Sequence, residues 1–329
     1  MGKVLVSASH YDTLCREAWK LLEEHGHQVI YDPSRSFPAY SQEELKIVLR
    51  DVDAAVVGLD QYTEEVFAHA PKLKAVAKFG VGTDNIDCQA AARHGVKVLN
   101  APGMNANGVA ELTLGLMIDL FRGIVPLHNK ILKGEWPRYM GREIKGKRIG
   151  LLGFGAIGQL VAEKLRGFSA EVYAYDLYPN EERARELGVT MVGLEEIIET
   201  CDVVSIHIPP SKESYHMFDG KLLDRMKDGA YLINAARGAL VDLEALAEKL
   251  KAGKLSGAAL DAFEVEPLDE KAPILSCENV LVTPHTGGET YEAYRDISLC
   301  TAKDIIRVLN QEEPVHWVNK SFWEEGRGV

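Results

Sequence analysis

Short apolar runs alternate with helical patterns along most of this chain, and that alternation constrains the fold more than any other feature. In the first hundred residues the apolar runs predict five buried strands, at Lys3–Ala8, His27–Tyr31, Ala54–Gly58, Lys74–Phe79 and Val96–Leu99. Helical patterns such as Thr13–Glu24 and Ser41–Leu49 separate them. Because parallel strands need crossover helices that cover both faces of the sheet, this part predicts a doubly wound parallel sheet.

A second series of the same kind begins at Lys147. Its predicted strands are Arg148–Leu152, Glu171–Tyr175, Val203–Ile208, Tyr231–Asn234, Gly257–Leu260 and Val280–Thr283. A helix is predicted from about Glu289 to Leu309. We therefore predict an α/β protein with two doubly wound parallel-sheet domains flanking a cleft.

Two features between the series suggest how the domains are joined. Ala101-Pro102-Gly103 breaks the pattern and is a candidate hinge. The run Ala110–Ile124 is apolar almost all round, which indicates a helix buried either in a core or in an interface. The predicted domains are residues 1–101 plus 289–329, and residues 102–288.

Composition excludes several classes of partner. The chain has 329 residues and a net charge of −12, which argues against nucleic acid or an anionic membrane as a partner. No run approaches the roughly 18 apolar residues of a membrane helix. The five cysteines are scattered without a CxxC pair, and the N-terminus lacks a signal-peptide pattern. We expect a cytoplasmic protein without a zinc site, and a polar, mobile tail at Phe322–Val329.

A glycine-rich loop follows the strand RIGLL and opens a predicted helix, Ile157–Arg166. The loop reads Gly153-Phe154-Gly155-Ala156-Ile157-Gly158 and matches GxGxxG. Its first glycine allows a tight turn, its second lets the backbone approach a pyrophosphate, and its third lets helix and strand pack closely. The helix N-terminus would bind the phosphates. The alternative is a strand–helix turn that binds no ligand.

The acid expected of a dinucleotide site is also present. Asp176 ends the next strand, about 20 residues after the glycines, where it would accept hydrogen bonds from a ribose. Its charge repels a 2′-phosphate, so the sequence predicts NAD rather than NADP. Leu177 and Tyr178 offer no phosphate clamp, and we interpret Arg183 and Arg185 as solvated surface residues.

Three segments near the end of the chain each leave one ionisable side chain at the carboxyl end of a strand. They are NAARGALVD with Arg237, LDAFEVEP with Glu266, and TPHTGG with His285. Ligands of open α/β sheets bind outside these strand ends. The trio therefore predicts an anion clamp with a proton donor.

Each member of the trio has a chemical role and a simpler alternative. Arg237 could grip a carboxylate through two hydrogen bonds, or form a surface ion pair. Glu266 could hold the tautomer of His285 and favour its protonated form, or be a solvated loop acid, as we expect of Glu264. His207 is the one serious rival to His285, and we expect it to line the cofactor pocket.

Taken together, these motifs resemble the D-isomer-specific 2-hydroxyacid dehydrogenases over nearly the whole chain. Phe79–Asp87 (FGVGTDNID) is similar to the family's substrate loop. The resemblance implies a Rossmann NAD domain and a flavodoxin-like substrate domain. It implies that Arg237 anchors the substrate carboxylate and carbonyl, that Glu266 is the partner of the acid/base His285, and that the backbone at Val81 and Gly82 contacts the carboxylate.

The resemblance also completes the predicted cofactor site. Asp261 matches an aspartate that supports the site. The predicted cofactor-binding residues are Gly153, Gly155, Ala156, Ile157, Gly158, Asp176, His207, Pro209, Ala235, Arg237, Asp261 and His285. The family is usually dimeric through the cofactor domain, and Ala110–Ile124 and Trp136–Tyr139 fit a buried interface, so we expect a homodimer.

Within the family, Trp136–Gly158 resembles the phosphoglycerate dehydrogenase branch. Lys78 stands where many of those enzymes carry an arginine near a substrate phosphate, although it could equally be a solvated lysine. We expect no C-terminal regulatory domain. Formate-oxidising members carry glutamine where Glu266 stands, so we do not expect a formate dehydrogenase.

The sequence thus predicts reversible hydride transfer between NAD and a small D-2-hydroxy acid. The preferred pair is D-3-phosphoglycerate and 3-phosphohydroxypyruvate. Glyoxylate, hydroxypyruvate, another 2-oxo acid or phosphite remain open as substrates. An NAD-sensing, corepressor-like binding protein is the alternative from another class.

Overall fold

The chain folds into two compact units in a computed structural model that describes residues 2–35 and 39–325. The first unit combines Met1–Asn105 with Glu289–Val329, and the second is Ala106–Gly288. Each unit is built around its own parallel sheet. Among the described residues, no helix has both the length and the apolar character needed to cross a membrane.

Within its described residues, the first unit has a five-stranded parallel sheet in the order β2-β1-β3-β4-β5. The strands are β1 (Lys3–Val6), β2 (Gln28–Tyr31), β3 (Ala54–Val57), β4 (Ala75–Lys78) and β5 (Lys97–Leu99). The helices are α1 (Tyr11–Leu14), α2 (Arg16–Glu24), α3 (Gln42–Val48), α4 (Glu64–Ala68), α5 (Cys88–Arg93), α13 (Tyr291–Leu309) and α14 (Lys320–Glu325).

Local sequence accounts for several of these elements. Strands β3 and β4 are buried at every position, as expected for the centre of a sheet covered on both faces. Helix α3 begins with a capping box. The Ser41 side chain accepts a hydrogen bond from the Glu44 N–H, and the Glu44 side chain accepts one from the Ser41 N–H. Asp87 caps α5 by accepting from the Ala90 N–H.

The second unit has a seven-stranded parallel sheet, counted over its described residues, in the order β12-β11-β10-β9-β6-β7-β8. The strands are β6 (Arg148–Leu152), β7 (Glu171–Tyr175), β8 (Thr190–Met191), β9 (Val203–Ile206), β10 (Ala230–Asn234), β11 (Leu255–Leu260) and β12 (Val280–Val282). The helices are α6 (Ala106–Arg122), α7 (Ile124–Leu132), α8 (Ala156–Leu165), α9 (Glu181–Leu187), α10 (Leu194–Thr200), α11 (Gly220–Arg225) and α12 (Leu243–Lys251). The strand order reverses between β6 and β9, which places a ligand crevice at that point.

The predicted fold class, two doubly wound parallel sheets, is confirmed. The main differences are at helix boundaries. The predicted helix Thr13–Glu24 is two helices that meet at Cys15. The predicted helix Ala110–Ile124 begins at Ala106 and ends at Arg122, because Gly123 adopts a left-handed φ of 61° and starts α7. The buried face of α6 packs into the core of the second unit, against α8 and the sheet.

The predicted mobile tail is wrong for its first part. Residues Lys320–Glu325 form α14, and the Trp323 ring packs edge-on against the Trp317 ring with centroids 5.3 Å apart. Residues 326–329 lie outside the described part of the chain. The aromatic pair attaches this helix to the first unit, which the polar composition of the tail did not predict.

Candidate active site

The glycine-rich loop connects β6 to α8, and each of its glycines meets a different environment. A Cβ on Gly153, whose φ is 102°, would lie 2.6 Å from the His207 carbonyl oxygen. A Cβ on Gly158 would lie 2.2 Å from the Gly153 carbonyl oxygen. A Cβ on Gly155 would meet nothing within 4 Å. The outer glycines therefore permit close packing, and the middle one leaves open space.

That open space lies at the N-terminus of α8. Gly155 is the N-cap residue and provides no side-chain cap, while Ala156 is exposed and Ile157 half-buried. The first N–H groups of a helix have no partner within the helix and carry its positive dipole end. An uncapped, glycine-lined helix N-terminus is a site for a phosphate group, so these residues fit the pyrophosphate of a dinucleotide.

Asp176 follows β7 and is fixed by backbone donors on both sides. Its Oδ2 accepts from the Phe154 N–H at 2.7 Å, and its Oδ1 accepts from the Tyr178 N–H at 2.8 Å. The carboxylate is half-buried, and each oxygen retains a second lone pair for a ribose hydroxyl. Arg183 forms ion pairs with Glu163 and Glu186 on the surface.

The turn that carries Arg237 follows β10 and is held by Asn234, which is fully buried. The Asn234 side chain donates to the Arg237 carbonyl oxygen at 2.9 Å and accepts from the Ala236 N–H at 3.0 Å. The Arg237 guanidinium is half-buried and donates through Nη1 to the Ala236 carbonyl oxygen at 2.8 Å. Asn234 was missed because a residue at the end of an apolar strand gives no separate signal.

Gly238 brings the Arg237 turn against the loop that carries Glu266. A Cβ at this position would lie 1.9 Å from the Phe263 carbonyl carbon, so the two loops pack backbone to backbone. No other residue type fits that contact without moving one of the loops. Gly238 therefore controls how closely Arg237 approaches Glu266.

Glu266 and His285 form a direct pair. The His285 Nδ1 lies 2.9 Å from both Glu266 oxygens, and Oε1 also accepts from the Phe263 N–H at 2.9 Å. Burial raises the pKa of Glu266, but the hydrogen bonds from His285 and the Phe263 N–H, with the charges of His285 and Arg237, outweigh it and lower the pKa overall. The ionised Glu266 thus holds a proton on the Nδ1 of His285.

Asp261 bonds to the Thr283 side chain before His285 and to the backbone after it. Its side chain is 1% exposed. Oδ1 accepts from the Thr283 hydroxyl at 2.6 Å and the Thr286 N–H at 2.8 Å, and Oδ2 accepts from the Gly287 N–H at 2.8 Å. His285 itself has a left-handed φ of 55°, a conformation that costs about 1–3 kcal/mol outside glycine.

Asp261 was also predicted among the cofactor-binding residues. Both of its oxygens are bonded to the loop of His285, so its carboxylate also helps to position that residue. The spacing of charged residues along the chain could not reveal this, since the donors lie more than 20 residues away in sequence.

The remaining predicted cofactor residues also lie at the carboxyl edge of the second sheet. Pro209 follows β9 and is exposed, and Ala235 follows β10 and is half-buried. The His207 Nε2 lies 2.9 Å from the Ser205 hydroxyl, and burial lowers the pKa of His207 to about 4. A neutral His207 at physiological pH does not compete with His285 as a proton donor.

The predicted substrate loop lies in the first unit, directly after β4. The Val81 carbonyl oxygen accepts from the Asn100 side chain at 2.8 Å, which fixes the loop. Within the described residues, the N–H groups of Val81 and Gly82 donate to no other residue, and Val81 is exposed. Two adjacent N–H donors of this kind can bind a carboxylate.

Lys78 is not the solvated lysine that the sequence left open. Its side chain is 7% exposed, and its Nζ donates to the Gly58 carbonyl oxygen and, at 3.1 Å, to the Asn85 side chain. Asn85 is buried too and donates to the Asp60 carbonyl oxygen at 2.7 Å. The ammonium group thus takes part in the internal packing of the first unit.

Glu264 also differs from its predicted role as a solvated loop acid. Although exposed, its carboxylate accepts from the Tyr215 hydroxyl at 2.7 Å and lies 2.8 Å from the His216 Nε2. Hydrogen bonds from His216 and Tyr215 lower the pKa of Glu264. The loop 263–266 is therefore attached to a second segment of the chain.

Comparison with known proteins agrees with this geometry. The family described as "D-isomer specific 2-hydroxyacid dehydrogenase, NAD binding domain" matches residues 114–287. A glyoxylate reductase of Thermofilum pendens is 39% identical over 300 residues, covering 89% of this chain and 88% of its own. A D-3-phosphoglycerate dehydrogenase of Methanocaldococcus jannaschii is 37% identical over 97% of this chain, which spans 60% of that protein's length.

A solved structure supports the same relationship. The apo-structure of D-lactate dehydrogenase from Escherichia coli aligns with a TM-score of 0.84 and 28% identity, covering 96% of this chain and 99% of the other. The fold and the matched NAD-binding domain define an oxidoreductase that acts on CH–OH groups with NAD. The chain belongs to the D-isomer-specific 2-hydroxyacid dehydrogenases.

Proposed function

We propose that Arg237, Glu266 and His285 interconvert a small D-2-hydroxy acid and its 2-oxo acid at the carboxyl edge of the second sheet. The observation that carries this proposal is the bonding of both Glu266 oxygens to the His285 Nδ1. It leaves a polarised imidazole whose Nε2 is bonded to none of the residues that the structure describes, next to the loop that packs on the Arg237 turn.

The residues of the chain have separate tasks in this reaction. Bound NADH would supply the hydride. His285 would donate a proton from Nε2 to the oxygen formed at C2 of the substrate, and Glu266 would stabilise the imidazolium beforehand. Arg237 would bind the carboxylate and the carbonyl oxygen and stabilise developing negative charge. In the oxidative direction His285 takes the hydroxyl proton.

Binding roles follow from the same geometry. The glycine-rich loop and the N-terminus of α8 would hold the pyrophosphate, with Gly155 in contact, and Asp176 would bind the ribose. The N–H groups of Val81 and Gly82 would bind the substrate carboxylate. His207, Pro209 and Ala235 would line the cofactor site.

For the substrate, we propose a small 2-oxo acid without a phosphate, of the glyoxylate or hydroxypyruvate type. Lys78 was the main argument for a phosphate, and its ammonium is buried and bonded to Gly58 and Asn85. The similarity to a glyoxylate reductase over most of both chains supports this choice. The second candidate is 3-phosphohydroxypyruvate. It is favoured by Lys78, a cation one residue before the substrate loop.

The deciding experiment measures NADH oxidation with glyoxylate, hydroxypyruvate and 3-phosphohydroxypyruvate. We expect higher kcat/KM for the unphosphorylated acids, and we expect Lys78→Met to change all three values by a similar factor. A loss confined to 3-phosphohydroxypyruvate would instead place Lys78 at the phosphate. No oxidation with any acid would contradict the enzyme and favour an NAD-responsive binding protein.

The assembly expected from the family is also a proposal. Helix α7 and the segment after it expose a group of large apolar side chains, namely Ile131, Leu132, Trp136, Tyr139 and Met140. A second copy of this chain would cover them and form a cytoplasmic homodimer through the second unit. Sedimentation analysis of the wild type and of Leu132→Glu tests this, and a monomeric wild type would contradict it.

A further inference from the structure

The pair of Glu266 and His285 depends on a loop, residues 263–266, whose own position needs an explanation. The loop has little regular structure, and its first residue packs against Gly238. Glu266 fixes part of it by accepting from the Phe263 N–H. Between these residues stands Glu264, an exposed acid that none of the catalytic roles uses.

The segment 215–218 attaches to the Glu264 side chain. The Tyr215 hydroxyl donates to Oε1 at 2.7 Å, and the His216 Nε2 lies 2.8 Å from Oε2, so each oxygen has its own partner. The two rings are stacked, with centroids 4.1 Å apart and planes within 11°. Stacking fixes the direction from which both groups reach the carboxylate.

The same segment also attaches to the turn after Arg237. The His216 N–H donates to the Ala239 carbonyl oxygen at 2.8 Å, and the Phe218 N–H donates to the Leu240 carbonyl oxygen at 3.0 Å. Phe218 is fully buried in the core of the second unit. The backbone of the segment therefore follows the Arg237 turn, while its side chains hold the Glu264 loop.

We propose that His216, together with Tyr215, is a positioning residue for the reaction, acting through Glu264 to set the place of Glu266. Through this link the segment 215–218 holds the loop of Glu266 in register with the Arg237 turn. His216 touches neither substrate nor cofactor in this role. The inference rests on the proposed function, because it assigns His216 an effect on the acid/base pair.

The test uses the full-length protein and the 2-oxo acid that the wild type reduces fastest. His216→Ala should lower kcat roughly tenfold, since small displacements of catalytic groups are costly, and should leave the KM for NADH within about twofold. The pH profile of reduction should also change, because a displaced Glu266 no longer places its charge against the His285 Nδ1. His216→Gln retains a donor and should recover much of the rate.

A double variant tests whether His216 acts through Glu266. In Glu266→Gln, adding His216→Ala should have little further effect, because the residue through which His216 acts has already been changed. An equal loss in both backgrounds would overturn the proposal, as would a fall in thermal stability with unchanged kcat and pH profile.

The matched control is His94→Ala. His94 pairs with Glu64 within the first unit, in the same kind of half-exposed His–Glu contact. His94→Ala should keep wild-type kinetics, and a loss of kcat equal to that of His216→Ala would also overturn the proposal. If none of the 2-oxo acids supports NADH oxidation by the wild type, the proposed function itself is contradicted. Failure of the proposed function can thus be told apart from failure of the proposal for His216.

Discussion

At the scale of single residues, the site depends on a few carboxylates that differ in what they bind. Glu266 faces an imidazole, Asp261 faces the backbone around that imidazole, and Asp176 faces the backbone of the nucleotide loop. The same functional group thus orients an imidazole, holds a left-handed residue and, in the proposed site, would also bind a ribose. Neighbouring donors decide which of these it does.

The pH dependence of the reaction should reveal the role of Glu266. Its lowered pKa keeps it ionised across the neutral range, so it can accept the hydrogen bond of the His285 Nδ1 there. In Glu266→Gln that charge is lost, and the pH profile of reduction should differ from that of the wild type, with the larger loss of rate above neutral pH. The variant should therefore lose more activity at pH 8 than at pH 6.

Steady-state kcat/KM measured from pH 5 to 9 checks this prediction. Glu270→Gln, which changes an exposed acid further along the same loop, serves as the control and should keep the wild-type profile. Identical profiles for the wild type and Glu266→Gln would show that Glu266 does not act on the proton donor.

Asp176 should determine the choice of cofactor. Asp176→Ala removes the ribose contacts, so kcat/KM with NADH should fall about tenfold or more. It also removes the charge that repels a 2′-phosphate, so the preference for NADH over NADPH should narrow. Kinetics with both cofactors measure the ratio of kcat/KM with NADH to kcat/KM with NADPH. Glu171→Ala, at the start of β7, is the control and should keep the wild-type ratio. An unchanged ratio in Asp176→Ala would contradict the assignment.

At the scale of elements, the loops at the carboxyl edge of the second sheet support one another through their backbones. Gly238 and Phe263 bring two loops together, and Asp261 joins the ends of β11 and β12. The side chains proposed for catalysis therefore lie on loops whose spacing is controlled by other residues.

Gly238→Ala tests this spacing. Its Cβ would lie 1.9 Å from the Phe263 carbonyl carbon, so one loop must move. We expect a fall in kcat of roughly a hundredfold, together with a destabilisation of about 1–3 kcal/mol typical of overpacking. Gly167→Ala, where a Cβ meets nothing within 4 Å, is the control for kinetics and thermal melting. Wild-type kinetics in Gly238→Ala would show that the loops are not closely coupled.

Elements that form a clear apolar run were predictable from sequence, whereas very short or closely spaced elements were not. Strands β3 and β10 are buried at every position, and their apolar runs can be recognised in the sequence alone. Strand β8 has only two residues, too few to show a period. Helix α7 was missed because Gly123 separates it from α6 by a single residue.

The candidate site shows the same difference between residues that a local pattern reveals and residues that only a long-range contact reveals. Arg237, Glu266 and His285 were predictable because each follows a strand that can be recognised locally. The positioning roles of Asn234, Gly238 and Asp261 were not, since each depends on a contact with a loop formed elsewhere in the chain. Lys78 shows the opposite error, because its position suggested a ligand and its surroundings provide acceptors from the protein itself.

At the scale of the whole molecule, cofactor and substrate functions are assigned to different units. The NAD-binding domain matches residues 114–287, which fall inside the second unit. The proposed substrate loop belongs to the first unit. Each unit has its own sheet and core, so ligand effects should be distinguishable by region.

NADH should stabilise the second unit selectively. A ligand that binds only the folded state at a hundred times its Kd adds about 2.7 kcal/mol. Thermal melting should therefore shift upwards with NADH and less with NADPH at the same concentration. Hydrogen exchange should show the strongest protection at the loop after β6 and the turn after β10. Protection confined to the first unit would contradict the assignment of the cofactor site.

The first unit is assembled from both ends of the chain, and this has a consequence for how the protein is made. Helix α13 packs on α2 and on the sheet of the first unit, where Ala302, Ile305 and Val308 join the core around Val4 and Val6. A ribosome delivers Val4 before the whole of the second unit and Val308 after it. The second unit can complete its sheet during synthesis, while the earliest strands wait with an open apolar face until α13 emerges.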